Sequence, residues 1–252
     1  MIHVERRGSG PPVLLLHGIG GSADSFADQF DAFAEDGRTV LAWDAPGYAR
    51  SADPDGPPGM AGYARAAAEV VRSCAPVHVL GVSWGGVIAT RLAADRPELV
   101  RSLVLAGSTR GSGRTAQKRA AMTARRAELE RLGPAAFAAG RGPRLLSAQA
   151  PPELVRRVVD TMARSIRTPG YGHAAAAMAE TDHSAVLGEL SMPVLVVVGD
   201  RDEVTGVDES RAIAAAVPHA RLEIVQGAGH LVNQERPGAF NALVRDFWKD
   251  VP

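Results

Sequence analysis

The sequence predicts an α/β fold: a mostly parallel central sheet flanked by helices, with a helical cap inserted before its last strands. Three observations predict it. Six short β-type runs recur along the 252 residues, and as a set they are continuous rather than alternating. That is the pattern of strands covered on both faces. Helix-like stretches separate most of these runs, and alternating strands and helices imply parallel pairing. The alternation then stops after Gly107 and resumes at Val194, beyond Pro193.

The strands are expected over 13–16, 39–43, 77–80, 102–106, 194–198 and 221–225, with 2–6 as a further edge strand. Helices are expected over 23–35, 60–73, 85–94, 208–216 and 237–249. Between Gly107 and Val194, helices are expected over 115–132, 134–139, 152–165 and 172–180, broken by glycine and proline. The expected organisation is therefore a core of residues 1–107 and 189–252, carrying a helical cap of residues 108–188.

Composition narrows the function. The 28 Lys and Arg balance the 28 Asp and Glu, and aromatic residues make up 5% of the chain. No global field argues for nucleic acid or a membrane surface as partner. Cys74 is the sole cysteine, so an internal disulfide is excluded and no metal site, Cys-based or other, is expected. No apolar run approaches the roughly 18 residues of a membrane span. The first seven residues lack the apolar core of a signal peptide, so a cytoplasmic protein is the expectation.

The chemistry is concentrated at Gly81-Val82-Ser83-Trp84-Gly85-Gly86, between an apolar run and a helix-like run. A serine between glycines at a strand-to-helix junction describes a nucleophile elbow. The turn is so sharp that only residues without a side chain fit two positions before and after the serine. Its hydroxyl is pushed out above the sheet, at a helix N-terminus that favours developing negative charge.

A serine hydroxyl needs a base, and the base needs a fixed tautomer. His230 is the candidate base, because Gln226-Gly227-Ala228-Gly229-His230 is a glycine-rich loop directly after the last strand. His3, His78, His173, His183 and His219 lie at the terminus, in a strand, in the cap or before a strand. Three carboxylates follow the 194–198 strand: Asp200, Asp202 and Glu203. Asp202 is the candidate orienting acid, one turn past the strand. Asp200 is its alternative, adjacent to the strand and suited to holding the loop.

A tetrahedral oxyanion wants two preorganised N–H donors. The backbone N–H of Trp84 follows the nucleophile. The backbone N–H of Ile19, in His17-Gly18-Ile19-Gly20-Gly21-Ser22, is the second candidate. His17, Gly18, Ile19 and Trp84 are expected to line the substrate pocket. His17 reads as a structural loop residue, with a second base as the alternative.

Taken together, HGIGGS (17–22), DAPGYARS (44–51), GVSWGG (81–86), GDRDEVT (199–205) and GAGHLVNQERP (227–237) resemble the α/β-hydrolase superfamily. The resemblance implies the α/β-hydrolase fold, with Ser83 as nucleophile, Asp202 as acid and His230 as base, as the residues themselves suggest. One departure is visible: where the superfamily often has Pro-Gly-x-Gly-x-Ser, this chain has Ala49 in place of the second glycine. The stretch 167–182 resembles 3-oxoadipate enol-lactonases and nearby carboxylesterases.

The cap also carries charge. From Arg110 to Arg167 there are 13 Lys and Arg against 4 Asp and Glu. Such a surplus is either a solvated helix face or a field that attracts an anionic substrate. The expected activity is cofactor-independent hydrolysis of an ester or lactone of a small molecule. A carbon–carbon hydrolase of a vinylogous diketone, a perhydrolase and a small-molecule receptor are the alternatives on the same residues.

Overall fold

The computed structural model describes residues 1–251. Its elements run, in chain order, β1 (Val4–Arg7), β2 (Pro12–Leu16), α1 (Ala27–Glu35), β3 (Thr39–Trp43), α2 (Gly59–Val71), β4 (Val77–Val82), α3 (Trp84–Asp95) and β5 (Val100–Ala106). They continue with α4 (Ala116–Arg141), α5 (Pro152–Ser165), α6 (Thr168–Glu180), β6 (Val194–Gly199), α7 (Val207–Ala216), β7 (Arg221–Val225), α8 (Val232–Glu235) and α9 (Pro237–Lys249).

The seven strands form one sheet in the order β1-β3-β2-β4-β5-β6-β7. Only β1 is antiparallel, pairing Val4 with Trp43 and Arg7 with Val40. It spans Val4–Arg7 rather than 2–6.

The continuous apolar runs have the reason expected of them. Leu14 and Leu16 of β2 join the core on one face, with Ala64, Ala67, Ile88 and Leu92 of α2 and α3. Val13 and Leu15 join the other, with Phe30 and Phe33 of α1 and Phe240 and Val244 of α9. Successive residues of a strand face opposite ways, so two covered faces leave no polar position in the run.

Residues between β5 and β6 are helical, as expected, with two differences of detail. The stretches predicted over 115–132 and 134–139 form α4, kinked where Gly133 takes φ 73° before Pro134. A glycine at positive φ followed by a proline without an N–H turns the chain without ending the helical course. Helix α6 begins at Thr168, ahead of the predicted 172, because Pro169 sits in its first turn, where proline is tolerated. Gly170 is needed there: a Cβ on it would lie 2.0 Å from the Gly47 carbonyl oxygen. The backbone of α6 thus rests directly on the 46–51 loop.

Candidate active site

Ser83 stands between β4 and α3 with φ 54° and ψ −116°, a conformation that costs strain in any residue but glycine. The surrounding backbone enforces it. A Cβ on Gly81 would lie 2.4 Å from the Gly85 carbonyl, and one on Gly85 would lie 2.0 Å from the Leu16 carbonyl oxygen. Both contacts are with backbone that cannot move aside. The Ser83 N–H donates to the Ala106 carbonyl (2.8 Å), and its own carbonyl accepts from the Gly86 N–H (2.9 Å). The turn is therefore tied into the sheet and the helix at once.

Ser83 is half-buried and faces a cavity of about 570 Å³ between the sheet's carboxyl edge and the helices that follow β5. Ligand pockets commonly have this size. Gly18, Ile19, His230 and Met162 share its lining. A Cβ on Gly18 would lie 3.4 Å from the Ser83 Cβ, so the 17–21 loop runs directly beside the Ser83 side chain. Among the described residues, neither the Ile19 nor the Trp84 N–H is engaged in a turn or cap hydrogen bond.

His230 is 3% exposed and its Nδ1 is 3.0 Å from Oδ2 of Asp202. Asp202 also accepts from the Val204 N–H (2.8 Å), the Thr205 N–H (3.0 Å) and the Thr205 hydroxyl (2.6 Å). Burial alone would raise the Asp202 carboxyl, but the bonds from His230 and Thr205 outweigh it and hold the group far below the usual carboxylate range. An ionised Asp202 fixes a proton on Nδ1 and turns Nε2 towards the cavity. Among the described residues, neither Nε2 nor the Ser83 hydroxyl is in a hydrogen bond.

The three competing carboxylates are separated by their partners. Asp200 accepts from the Gly227 N–H (2.6 Å) and the Ala228 N–H (3.3 Å), holding the loop that carries His230. Glu203 is exposed at the cavity rim. Only Asp202 meets the imidazole.

His17 lines the cavity floor but is fully buried, and its ring is committed. Its Nε2 accepts from the Ala45 N–H (3.0 Å) and its Nδ1 is 2.8 Å from the Gly18 carbonyl oxygen. Burial lowers its pKa to about 4, so it stays neutral and braces the loop.

One expectation is corrected. The Trp84 side chain does not line the cavity. It is 1% exposed and packs edge-on to Tyr63 (4.8 Å between ring centroids) and near Tyr48 (5.3 Å). The reason is the elbow itself: with Ser83 turned up into the cavity, the next side chain on α3 is directed into the core. Only its backbone N–H remains at the site.

Two features escaped the sequence. Glu235 is 6% exposed and accepts from the Gly229 N–H (2.8 Å), the Ser147 N–H (3.0 Å) and the Ser147 hydroxyl. It joins the His230 loop to the 145–147 segment, and the Leu231 N–H adds a bond to the Leu145 carbonyl (3.0 Å). An acid shortly after the histidine was the available signal, but nothing local marks it as buried. The second is a cationic wall: Arg125 and Arg141 of α4 line the cavity beside Tyr171 of α6. The cap's surplus charge was legible; which arginines point inward was not. Among the described residues no cluster of three or more His, Cys, Asp or Glu could hold a metal. No helix there is long and apolar enough to cross a membrane.

A strained serine at a strand-to-helix turn, facing a buried His–carboxylate pair across a cavity above a parallel sheet, defines an enzyme-like site of the α/β-hydrolase class. The chain belongs to the alpha/beta hydrolase fold family, whose model matches residues 11–237. It is similar to a Variovorax paradoxus protein named for carbamate hydrolysis (RutD), with 30% identity over 98% of this chain and 95% of that one. It is 27% identical to 3-oxoadipate enol-lactonase 2 of Acinetobacter baylyi, over 94% of this chain and 89% of that one. Among solved structures, a thermophilic esterase from Thermogutta terrifontis superposes with a TM-score of 0.89 at 25% identity, covering 99% of this chain and 93% of that one.

Proposed function

We propose that this chain is a serine hydrolase that cleaves a carboxylic ester or lactone through an acyl-enzyme on Ser83. The observation that carries the reading is the strained Ser83 turn opening into the cavity that His230, held by Asp202, also lines. In this mechanism Nε2 of His230 takes the hydroxyl proton as Ser83 Oγ attacks the substrate carbonyl. The Ser83–His230 contact closes to hydrogen-bond length as substrate is bound, a tightening common among enzymes. Ionised Asp202 stabilises the imidazolium. The Ile19 and Trp84 N–H groups, with the α3 N-terminus behind them, stabilise the oxyanion.

Collapse expels the alcohol, which takes the proton from His230 and leaves an ester on Ser83. Water, deprotonated by the same imidazole, then attacks that ester, and His230 returns the proton to Ser83 Oγ as the acid leaves. A lactone follows the same course with its alcohol still tethered to the acyl group. The helices of residues 108–188 act as the lid that shields these steps from bulk water.

The test is p-nitrophenyl acetate under rapid mixing, alongside a lactone and a vinylogous diketone. A burst of p-nitrophenol followed by steady turnover is expected. Turnover of the diketone alone would assign carbon–carbon cleavage instead. Ligand binding without turnover of any of the three would assign a receptor.

A further inference from the structure

We infer that Arg125 anchors an anionic group on the substrate, so that the preferred substrate is an ester or lactone bearing a carboxylate. The inference rests on the Ser83 reading and adds the chemical class to it.

The sequence's surplus of cap cations is partly paired and partly solvated: Lys118, Arg119, Arg131, Arg156 and Arg164 are exposed. Arg110 and Arg114 pair with Glu209, Arg126 with Glu130, Arg157 with Asp28 and Arg167 with Asp53. Of the cavity's arginines, Arg144 and Arg201 are exposed at the rim. Arg141 is spoken for: its guanidinium is 3.3 Å from Glu128 and lies over the Phe137 ring.

Arg125 differs from all of these. It lines the cavity, is only partly exposed, and forms no ion pair among the described residues. Its neighbour on the wall is the neutral Tyr171. The nearby carboxylate, Glu128, is already held by Arg141. Burial works against the Arg125 charge, lowering its pKa from the usual arginine value. A guanidinium withdrawn from water without an anion is costly, and an anion brought to it recovers that cost.

The choice of residue and its surroundings indicate which anion. Arginine's planar fork matches a carboxylate through two parallel hydrogen bonds. Tyr171 is itself fixed, edge-on to Phe137 at 5.1 Å, and shares the wall with Arg125. The lining that this wall and Ser83 share also includes the apolar Val158, Met162 and Leu146. That apolar stretch suits a short methylene chain between the reacting carbonyl and a terminal carboxylate. The Glu203 carboxylate is the cavity's one acidic lining residue and sits at the exposed rim, leaving the inner wall cationic.

The test compares p-nitrophenyl butyrate with the p-nitrophenyl half-ester of glutarate, in wild type, Arg125→Gln, Arg125→Met and Arg125→Lys. Wild type is expected to favour the half-ester. Loss of the guanidinium is expected to lower kcat/KM for the half-ester about 10- to 100-fold, the scale of one charge-assisted hydrogen bond. The neutral ester should change less than about two-fold, and Arg125→Lys should retain part of the preference. An equal fall on both substrates, or a wild type that favours butyrate, overturns the inference while leaving Ser83 in place. If wild type hydrolyses neither ester, the Ser83 reading fails. Calorimetric titration with glutarate then reads the anion site alone. Binding to wild type that is lost in Arg125→Gln supports it, and no binding to wild type overturns it.

Discussion

The floor of the cavity is locked by backbone against backbone, whereas its roof, beyond the Gly47–Gly170 approach and the Ala49–Ser165 and Leu231–Leu145 backbone bonds, is held by side chains. At the floor, Gly81, Gly85 and the Leu16 carbonyl approach so closely that no side chain fits, and Ser83 keeps a φ of 54°. At the roof, the 108–188 segment is fastened by Glu209 to Arg110 and Arg114, by Arg167 to Asp53, and by Glu235 to Ser147. Burial would raise the Glu209 carboxyl, but the bonds from Arg110 prevail and hold it at about 2. A floor made of main chain keeps the reacting atoms in register. A roof made of side chains can change its lining, and with it the substrate, without disturbing the floor.

The largest effect is expected where floor geometry meets chemistry. Ser83→Ala should lower kcat by roughly 10⁴-fold or more with an unchanged thermal melt, read by steady-state hydrolysis and circular dichroism. Asp202→Asn should lower kcat by about 10³- to 10⁴-fold, because the amide no longer fixes the Nδ1 proton of His230. Asp200→Asn, which only loosens the Gly227–Ala228 loop, should cost less than about ten-fold. The reverse ranking would assign the orienting role to Asp200.

Glu235 sharpens the comparison, since it ties floor to roof. Glu235→Ala strands the Gly229 and Ser147 N–H groups, each costing about 1–3 kcal/mol when buried unpaired. Urea denaturation should show a loss of about 3 kcal/mol, and kcat should fall through misplacement of His230. Glu235→Gln should recover part of both.

His17 gives the floor a pH dependence. Its folded pKa, lowered by burial to about 4 from the ordinary 6.5, means that the unfolded chain takes a proton that the native state refuses. Its contribution is complete above pH 6.5 and is lost as pH falls towards 4, by about 3 kcal/mol in all. His78, at about 3, and His183, at about 4, act with the same sign. Urea melts at pH 7 and 4.5 should show this slope, and His17→Asn, whose amide can still accept from Ala45, should reduce it while the His78 and His183 shares remain.

The smallest effect belongs to the 46–51 loop. Ala49 stands at φ 38°, so the departure from glycine keeps the left-handed turn and carries its strain. Ala49→Gly should stabilise the fold by up to about 1 kcal/mol, the relieved strain less the added freedom of the unfolded chain.

The same contrast explains what the sequence could tell. Gly81, Ser83 and Gly85 act within five residues, so the local pattern specifies the turn. The strands were legible because both faces are covered, leaving runs such as Val194–Gly199 without a polar break. Asp202 could be singled out over Asp200 only by where a loop can reach; in the fold its Oδ2 lies 3.0 Å from His230 Nδ1. The roof was legible only in kind. Nothing in the α4 sequence distinguishes Arg125 from Arg126, yet one turns to the cavity and the other to Glu130. That distinction depends on how α4 packs on α6, which periodicity does not encode. Trp84 failed for a related reason: its direction is set by the strained residue before it.

The most direct measurement of the central claim is covalent. Inactivating the enzyme with paraoxon and fragmenting the peptide that spans residues 73–91 should localise one phosphoryl adduct per chain on Ser83, with Ser83→Ala left unlabelled. Complete inactivation with the adduct on any other residue, and Ser83 unmodified, would contradict the account.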